Sequence, residues 1–287
     1  MNAYEEFLNE FKQMIKNNTF IVENTLSNIF TMRLIGNKTH GDLAEVGIAE
    51  FVNQFMPNYS GRYVGKELYR SKKHEEDIVV TNKSTKTEIP ISLKAYGDGP
   101  LQLSTDKKSK LFKLLKNYGT LIDNEEQIAE IFNSEEFKEL MSVNVMPLIY
   151  RERDKECNIM VFDYGKMVRN TSKIKYIIPD DDNSNKRGKR KHPIYAFYDA
   201  DENYICEVRY GGTDANALQR GFWTNTTRAK NYFTSITDGW IKYEHNLELI
   251  KLIRLALNST PLSHVGVNGY LQQNIEGLKN NDKNKKQ

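Results

Sequence analysis

The residues with the clearest chemical potential lie between His74 and Tyr96, in the segment HEEDIVVTNKSTKTEIPISLKAY. Asp77 opens one β-branched run, Ile78, Val79 and Val80, and Lys94 ends the next, Ile89, Ile91 and Leu93, with the polar turn KSTKT in between. That alternation predicts two strands of a hairpin, which carries both side chains to one edge of a sheet. A carboxylate beside a lysine in such a place has a use. The carboxylate holds a divalent cation, the cation neutralises a phosphate oxygen and lowers the pKa of a bound water, and the lysine positions or activates that water. Glu45, on the helix-period run GDLAEVGIAEFVNQFM that ends at Pro57, offers a second carboxylate for the ion. Glu75 and Glu76 flank Asp77 and replace it if the register differs, whereas Glu88 lies about 20 Å from Lys94 at roughly 3.3 Å per residue, too far to share an ion. The competing reading is an ordinary surface hairpin with a salt bridge between Asp77 and Lys94.

Taken together, Asp77, the tripeptide Ser92-Leu93-Lys94 and the helical Glu45 resemble the PD-(D/E)XK nuclease superfamily, and type II restriction endonucleases in particular. The phrases ISLKAYGDGPLQLSTD and RYGGTDANALQRGFWTNT add to the likeness, which covers about residues 40 to 110 and 205 to 245. The resemblance implies an α/β fold with a central mixed β-sheet flanked by helices, restriction-endonuclease-like, and Mg²⁺-dependent hydrolysis of both strands of a specific duplex to 5′-phosphate ends. It implies Asp77, Lys94 and Glu45 as catalytic residues, with Ser92 and Gln102 beside them, and an ion held by Asp77, Glu45 and the Leu93 carbonyl. Double-stranded DNA, a second copy of the chain in a homodimer, and a cognate DNA methyltransferase as a separate chain are the implied partners. The sequence departs from the family pattern at Ser92, where the family has Asp or Glu.

Reading base edges asks for Arg, Lys, Asn and Gln on an element that enters a groove. Arg209, Asn216, Gln219, Arg220, Trp223, Thr224, Asn225 and Arg228 form such a set, and Lys107 and Lys108, after the lysine strand, suit phosphate contact. The loop PDDDNSNKRGKRKHP adds five basic residues from Lys186 to Lys191. The alternative is that Phe222, Trp223 and Tyr232 are core residues and the polar ones a solvated face.

The elements that must position these residues are legible from period and composition. Helices are expected near the N-terminus, where Tyr4, Phe7, Leu8, Phe11, Met14 and Ile15 recur at helical spacing, over 41–56, within 105–142, and over HNLELIKLIRLALNS. Strands are expected at GRYVGKELYR, EDIVVTN, EIPISLKAYG, MPLIYRE, NIMVFDY, KYIIP, IYAFYDA and YICEVRYG. With 287 residues, 39% of them hydrophobic, the chain suits a single domain over 1–275, with a catalytic core at about 40–165, a DNA-recognition region at about 180–245 and a disordered tail at 276–287. The net charge is only +3, so positive charge for a polyanion must be concentrated locally. No apolar run suits a membrane span or a signal peptide, which predicts a cytoplasmic protein, and Cys157 and Cys206 have no metal-ligand spacing and read as buried thiols. A methyltransferase or kinase is disfavoured by the lack of a Gly-rich phosphate or cofactor loop. A nuclease without a fixed sequence, or a DNA-binding module that has lost catalysis, remains the alternative.

Overall fold

The computed structural model describes residues 3–35, 40–64, 77–97, 100–102, 110–141, 144–178, 192–210, 221–257 and 273. The sequence candidates Lys107, Lys108, Asn216, Gln219 and Arg220, the residues Glu75 and Glu76, the basic run from Lys186 to Lys191 and the 276–287 tail lie outside these.

Helix α1 (Ala3–Asn17) buries Phe7, Phe11 and Ile15, the four-residue spacing that places side chains on one face. Phe7 stacks on Phe11 with ring centroids 5.5 Å apart and meets Tyr59 edge-on. Helix α2 (Thr19–Ile35) was not anticipated from the sequence, because its Thr, Ser, Asn and Ile content is poor in helix formers. Its hydroxyls bond back one turn, Ser27 to the Glu23 carbonyl at 2.7 Å and Thr31 to the Ser27 carbonyl at 2.6 Å. The same two oxygens accept the backbone N–H groups of Glu244 and Asn246, so the helix also anchors the segment leading to α8 (Leu247–Leu257).

Helix α3 (His40–Phe55) stops before Pro57 as expected and packs on strand β1 (Tyr59–Tyr63). The Asn53 side chain grips Gly61 from both sides, donating to its carbonyl at 2.9 Å and accepting from its N–H at 2.8 Å. Gly61 is required by this approach, since a Cβ there would sit 2.7 Å from the Ala49 carbonyl oxygen. Gly61→Ala is therefore expected to cost about 1–3 kcal/mol through overpacking against backbone. Urea unfolding measures this, and an unchanged midpoint would show that β1 and α3 separate freely.

The first sheet runs β1, β2 (Ile78–Asn82), β3 (Glu88–Gly97), then β6 (Asn144–Arg151), β7 (Glu156–Phe162) and β12 (Phe233–Ser235), with β13 (Ile241–Lys242) also on β7. Its pairs are antiparallel except β3 with β6, which run parallel with Lys94 beside Pro147. A parallel pair needs a crossover. Here the crossover holds β4 (Pro100–Gln102), α4 (Leu111–Tyr118), β5 (Leu121–Ile122), α5 (Glu125–Asn133) and α6 (Glu135–Met141). Where period alone predicts helix over 105–142, the chain forms three short helices, with Asn124 accepting the Gln127 N–H to cap α5.

The second sheet is antiparallel, in the order β4, β11 (Gly221–Asn225), β10 (Tyr204–Arg209), β9 (Ile194–Tyr198), β8 (Lys173–Ile177), β5. Two apolar cores result. One face of the first sheet, carrying Ile78, Val80, Ile91, Leu93, Met146 and Leu148, packs with α1 to α3. The second sheet packs with α4 to α6 and with α7 (Tyr164–Asn170), and Val145 and Phe162 of the first sheet join that core. The architecture is α/β, with a mixed central sheet flanked by helices. Cys157 and Cys206 are buried free thiols, and burial pushes both of their pKa values up. Among the described residues no helix is long and apolar enough to cross a membrane.

Candidate active site

The hairpin of β2 and β3 sets the site. Its turn is held by Asn82, whose side-chain oxygen accepts the N–H groups of Ser84 and Thr85 at 2.9 and 3.1 Å. This Asx-type closure fixes a register in which Ile78 faces Ile91 and Val80 faces Ile89. Asp77, one residue before β2, lies outside the regular ladder and donates its N–H to the Ile91 carbonyl at 3.0 Å, which ties it to β3 next to Ser92. A one-residue slip would turn Ser92 and Lys94 to the opposite face of the sheet.

Two hydrogen-bond donors and one ammonium group converge on one oxygen of Asp77. Its Oδ2 accepts the Leu93 N–H at 2.7 Å and the Ser92 hydroxyl at 3.1 Å, and the Lys94 ammonium stands 3.8 Å away. The side chains of Asp77 and Lys94 keep 14% and 23% of their exposure, so solvent reaches the pair, while Ser92 behind them is buried. In a strand the N–H and C=O of one residue point to the same side. Because the Leu93 N–H turns to Asp77, the Leu93 carbonyl faces the same edge, and Ser92 and Lys94 direct their own backbone groups towards β6.

Of the other sequence candidates, Glu45 is half-buried on α3, next to Ala44, which packs in the first core. That helix covers the face of Ile91 and Leu93, whereas Ser92 and Lys94 project from the other. Gln102 is buried on β4 in the second sheet, where it faces Trp223. The site thus gathers Asp77, Ser92, Leu93 and Lys94, with Glu45 and Gln102 on neighbouring elements.

The candidate DNA readers within the described residues sit on β10, β11 and the turn after it. Arg209 donates through Nε to Glu207 at 2.6 Å, and its guanidinium carbon sits over Trp223, 3.6 Å from the ring centroid. Thr224 is buried, and its hydroxyl donates to the Ile205 carbonyl at 2.7 Å. Asn225 accepts the N–H groups of Thr227 and Arg228, closing the turn, and Arg228 stacks on Tyr204 at 4.0 Å. Phe222, Trp223 and Tyr232 are buried, as the alternative reading of this segment holds. The sequence reading missed Glu207, a carboxylate only 2% exposed in mid-sheet that also accepts from the Tyr204 hydroxyl. Its signal was a single acid between the apolar Cys206 and Val208.

Among the described residues no group of three or more His, Cys, Asp and Glu side chains gathers as a metal-binding cluster. The site instead offers oxygen donors, the Asp77 carboxylate and the Leu93 carbonyl on one edge. A hard divalent cation such as Mg²⁺ accepts such a set, because it takes one or two carboxylates and completes its shell with water and substrate phosphate. Compared with protein-family models, with curated proteins and with solved structures, the chain matches none.

Proposed function

We propose that this chain is a Mg²⁺-dependent deoxyribonuclease that cuts both strands of a specific duplex sequence, as type II restriction endonucleases do. The observation that carries the reading is the convergence of Asp77 and Lys94 at the solvent-reached edge of the β2–β3 hairpin, to which the strand geometry also turns the Leu93 carbonyl.

In this reading Asp77 and Leu93 hold the ion, and Glu45, on the helix that covers the other face of β3, is left out of its ligands. The bound ion supplies positive charge to a phosphate oxygen and a water of lowered pKa. Lys94 orients that water for in-line attack on phosphorus and neutralises charge that builds on the phosphate in the transition state. One P–O bond forms and the bond to the 3′-oxygen breaks; that oxygen takes up a proton, leaving a 5′-phosphate and a 3′-hydroxyl. Arg209 and Arg228, held on β10 and after β11, together with Lys107, Lys108, Asn216, Gln219 and Arg220, are the proposed DNA contacts. A palindromic target calls for a homodimer, and protection of host DNA calls for a methyltransferase on another chain.

Digestion of unmethylated phage DNA by the purified protein, with Mg²⁺ or with chelator, tests this. Discrete fragments that require Mg²⁺ are expected. A smear would instead indicate a nuclease without a fixed sequence, and intact DNA that shifts on a binding gel would indicate a DNA-binding module without catalysis.

A further inference from the structure

We infer that Ser92 is a positioning residue, a hydrogen-bond donor that locks Asp77, and not a ligand of the cation. The inference rests on the nuclease reading and concerns how this chain works with a hydroxyl at a buried strand position where a carboxylate would add negative charge.

Ser92 is 2% exposed and sits directly behind Asp77, while the solvent-reached side of the pair is the Lys94 side. Its hydroxyl hydrogen is committed to Asp77 Oδ2, the oxygen that also takes the Leu93 N–H and faces Lys94. A carboxylate oxygen offers about two lone-pair directions, so these donors saturate Oδ2. They fix the plane of the carboxylate, and although the Ser92 oxygen keeps its lone pairs, it lies on the buried side of the pair, away from the edge that water and a hydrated ion reach. A carboxylate at position 92 would do the opposite, placing a second negative charge against Asp77 that only a cation relieves. The site is therefore built for one cation, which gains its remaining ligands from water and from the DNA phosphate.

Two measurements decide the matter. The first is a double-mutant cycle of Asp77→Ala and Ser92→Ala in the cation-free protein, read as melting temperature. Non-additivity is expected, with the double variant no less stable than the worse single variant, and Ser92→Thr, which keeps the hydroxyl, should retain the coupling. Additive losses would overturn the inference. The second is the number of waters on bound Eu³⁺, from luminescence lifetimes in H₂O and D₂O, for the wild type and Ser92→Ala. Equal numbers are expected, and one extra water in the variant would overturn the inference, because a lost ligand is replaced by solvent. If the wild type bound no Eu³⁺ at all, the nuclease reading would fail, and the cycle alone would decide the coupling of Ser92 to Asp77. In cleavage, Ser92→Ala is expected to lose about tenfold or more, and Ser92→Thr to recover most of it.

Discussion

Lys94→Ala is expected to lower DNA cleavage by about 10²–10³-fold while leaving DNA binding and the fold nearly intact, because removing one preorganised charge-stabilising donor costs about 2.7–4 kcal/mol of transition-state energy. The three readouts separate chemistry from structure. As an ion pair, Lys94 and Asp77 are 3.8 Å apart and partly solvated. Such a pair contributes about 1 kcal/mol or less to stability, so the unfolding midpoint should barely move. Binding should persist, since one phosphate contact among many supplies a small share of the affinity. Asp77→Ala should lose as much cleavage and should also abolish the dependence on Mg²⁺ concentration, because the ion then lacks its principal carboxylate. A Lys94→Ala protein that still cut at the wild-type rate would reduce the pair to a structural salt bridge and move the catalytic site elsewhere on the chain.

The second large effect is structural. Glu207→Ala is expected to destabilise the protein by about 3–5 kcal/mol, the cost of leaving a mostly buried charge without its partner. Glu207 is 2% exposed and holds Arg209, whose side chain is 16% exposed and stacked on Trp223. Glu207→Gln keeps one acceptor oxygen for Arg209 Nε, and its NH2 group donates to the Tyr204 hydroxyl in place of the second oxygen, so its loss should be clearly smaller. Replacing Glu207 and Arg209 together by apolar residues of similar volume should recover much of the loss, because buried ion pairs seldom outperform good packing. Denaturant unfolding of the variants measures these differences. A loss under about 1 kcal/mol for Glu207→Ala would place the pair in the class of solvated surface bridges.

The pattern of burial explains which features were legible beforehand. The hairpin from Asp77 to Lys94 was, since β-branched alternation on either side of a polar turn is local information and the turn has its own chemistry in Asn82. The N-terminal helix was equally plain in the spacing of Phe7, Phe11 and Ile15. Helix α2 was not, because its hydroxyl and β-branched residues argue against a helix until the backbone of Glu244 and Asn246 arrives to use Ser27 and Thr31 as acceptors. GFWTN read as part of a DNA-contacting run; it is a strand whose Trp223 and Thr224 are turned to internal duties. Polar residue types alone do not distinguish a base-reading face from a hydrogen-bonded interior.

By itself the sequence determined the N-terminal helix, the burial of the two cysteines, and the pairing of β2 with β3 that sets Asp77 against the Ser92-Leu93-Lys94 strand. These follow from residue spacing within one short stretch of chain, where the backbone period and the turn leave few alternatives. Only the tertiary structure decided that β3 lies parallel to β6, that β4 leaves the first sheet to pair with β11, and that Oδ2 of Asp77 collects the Leu93 and Ser92 donors beside the Lys94 ammonium. Those outcomes depend on which apolar faces bury one another across long separations. That choice minimises exposed surface for the whole chain and leaves no local trace in any one segment.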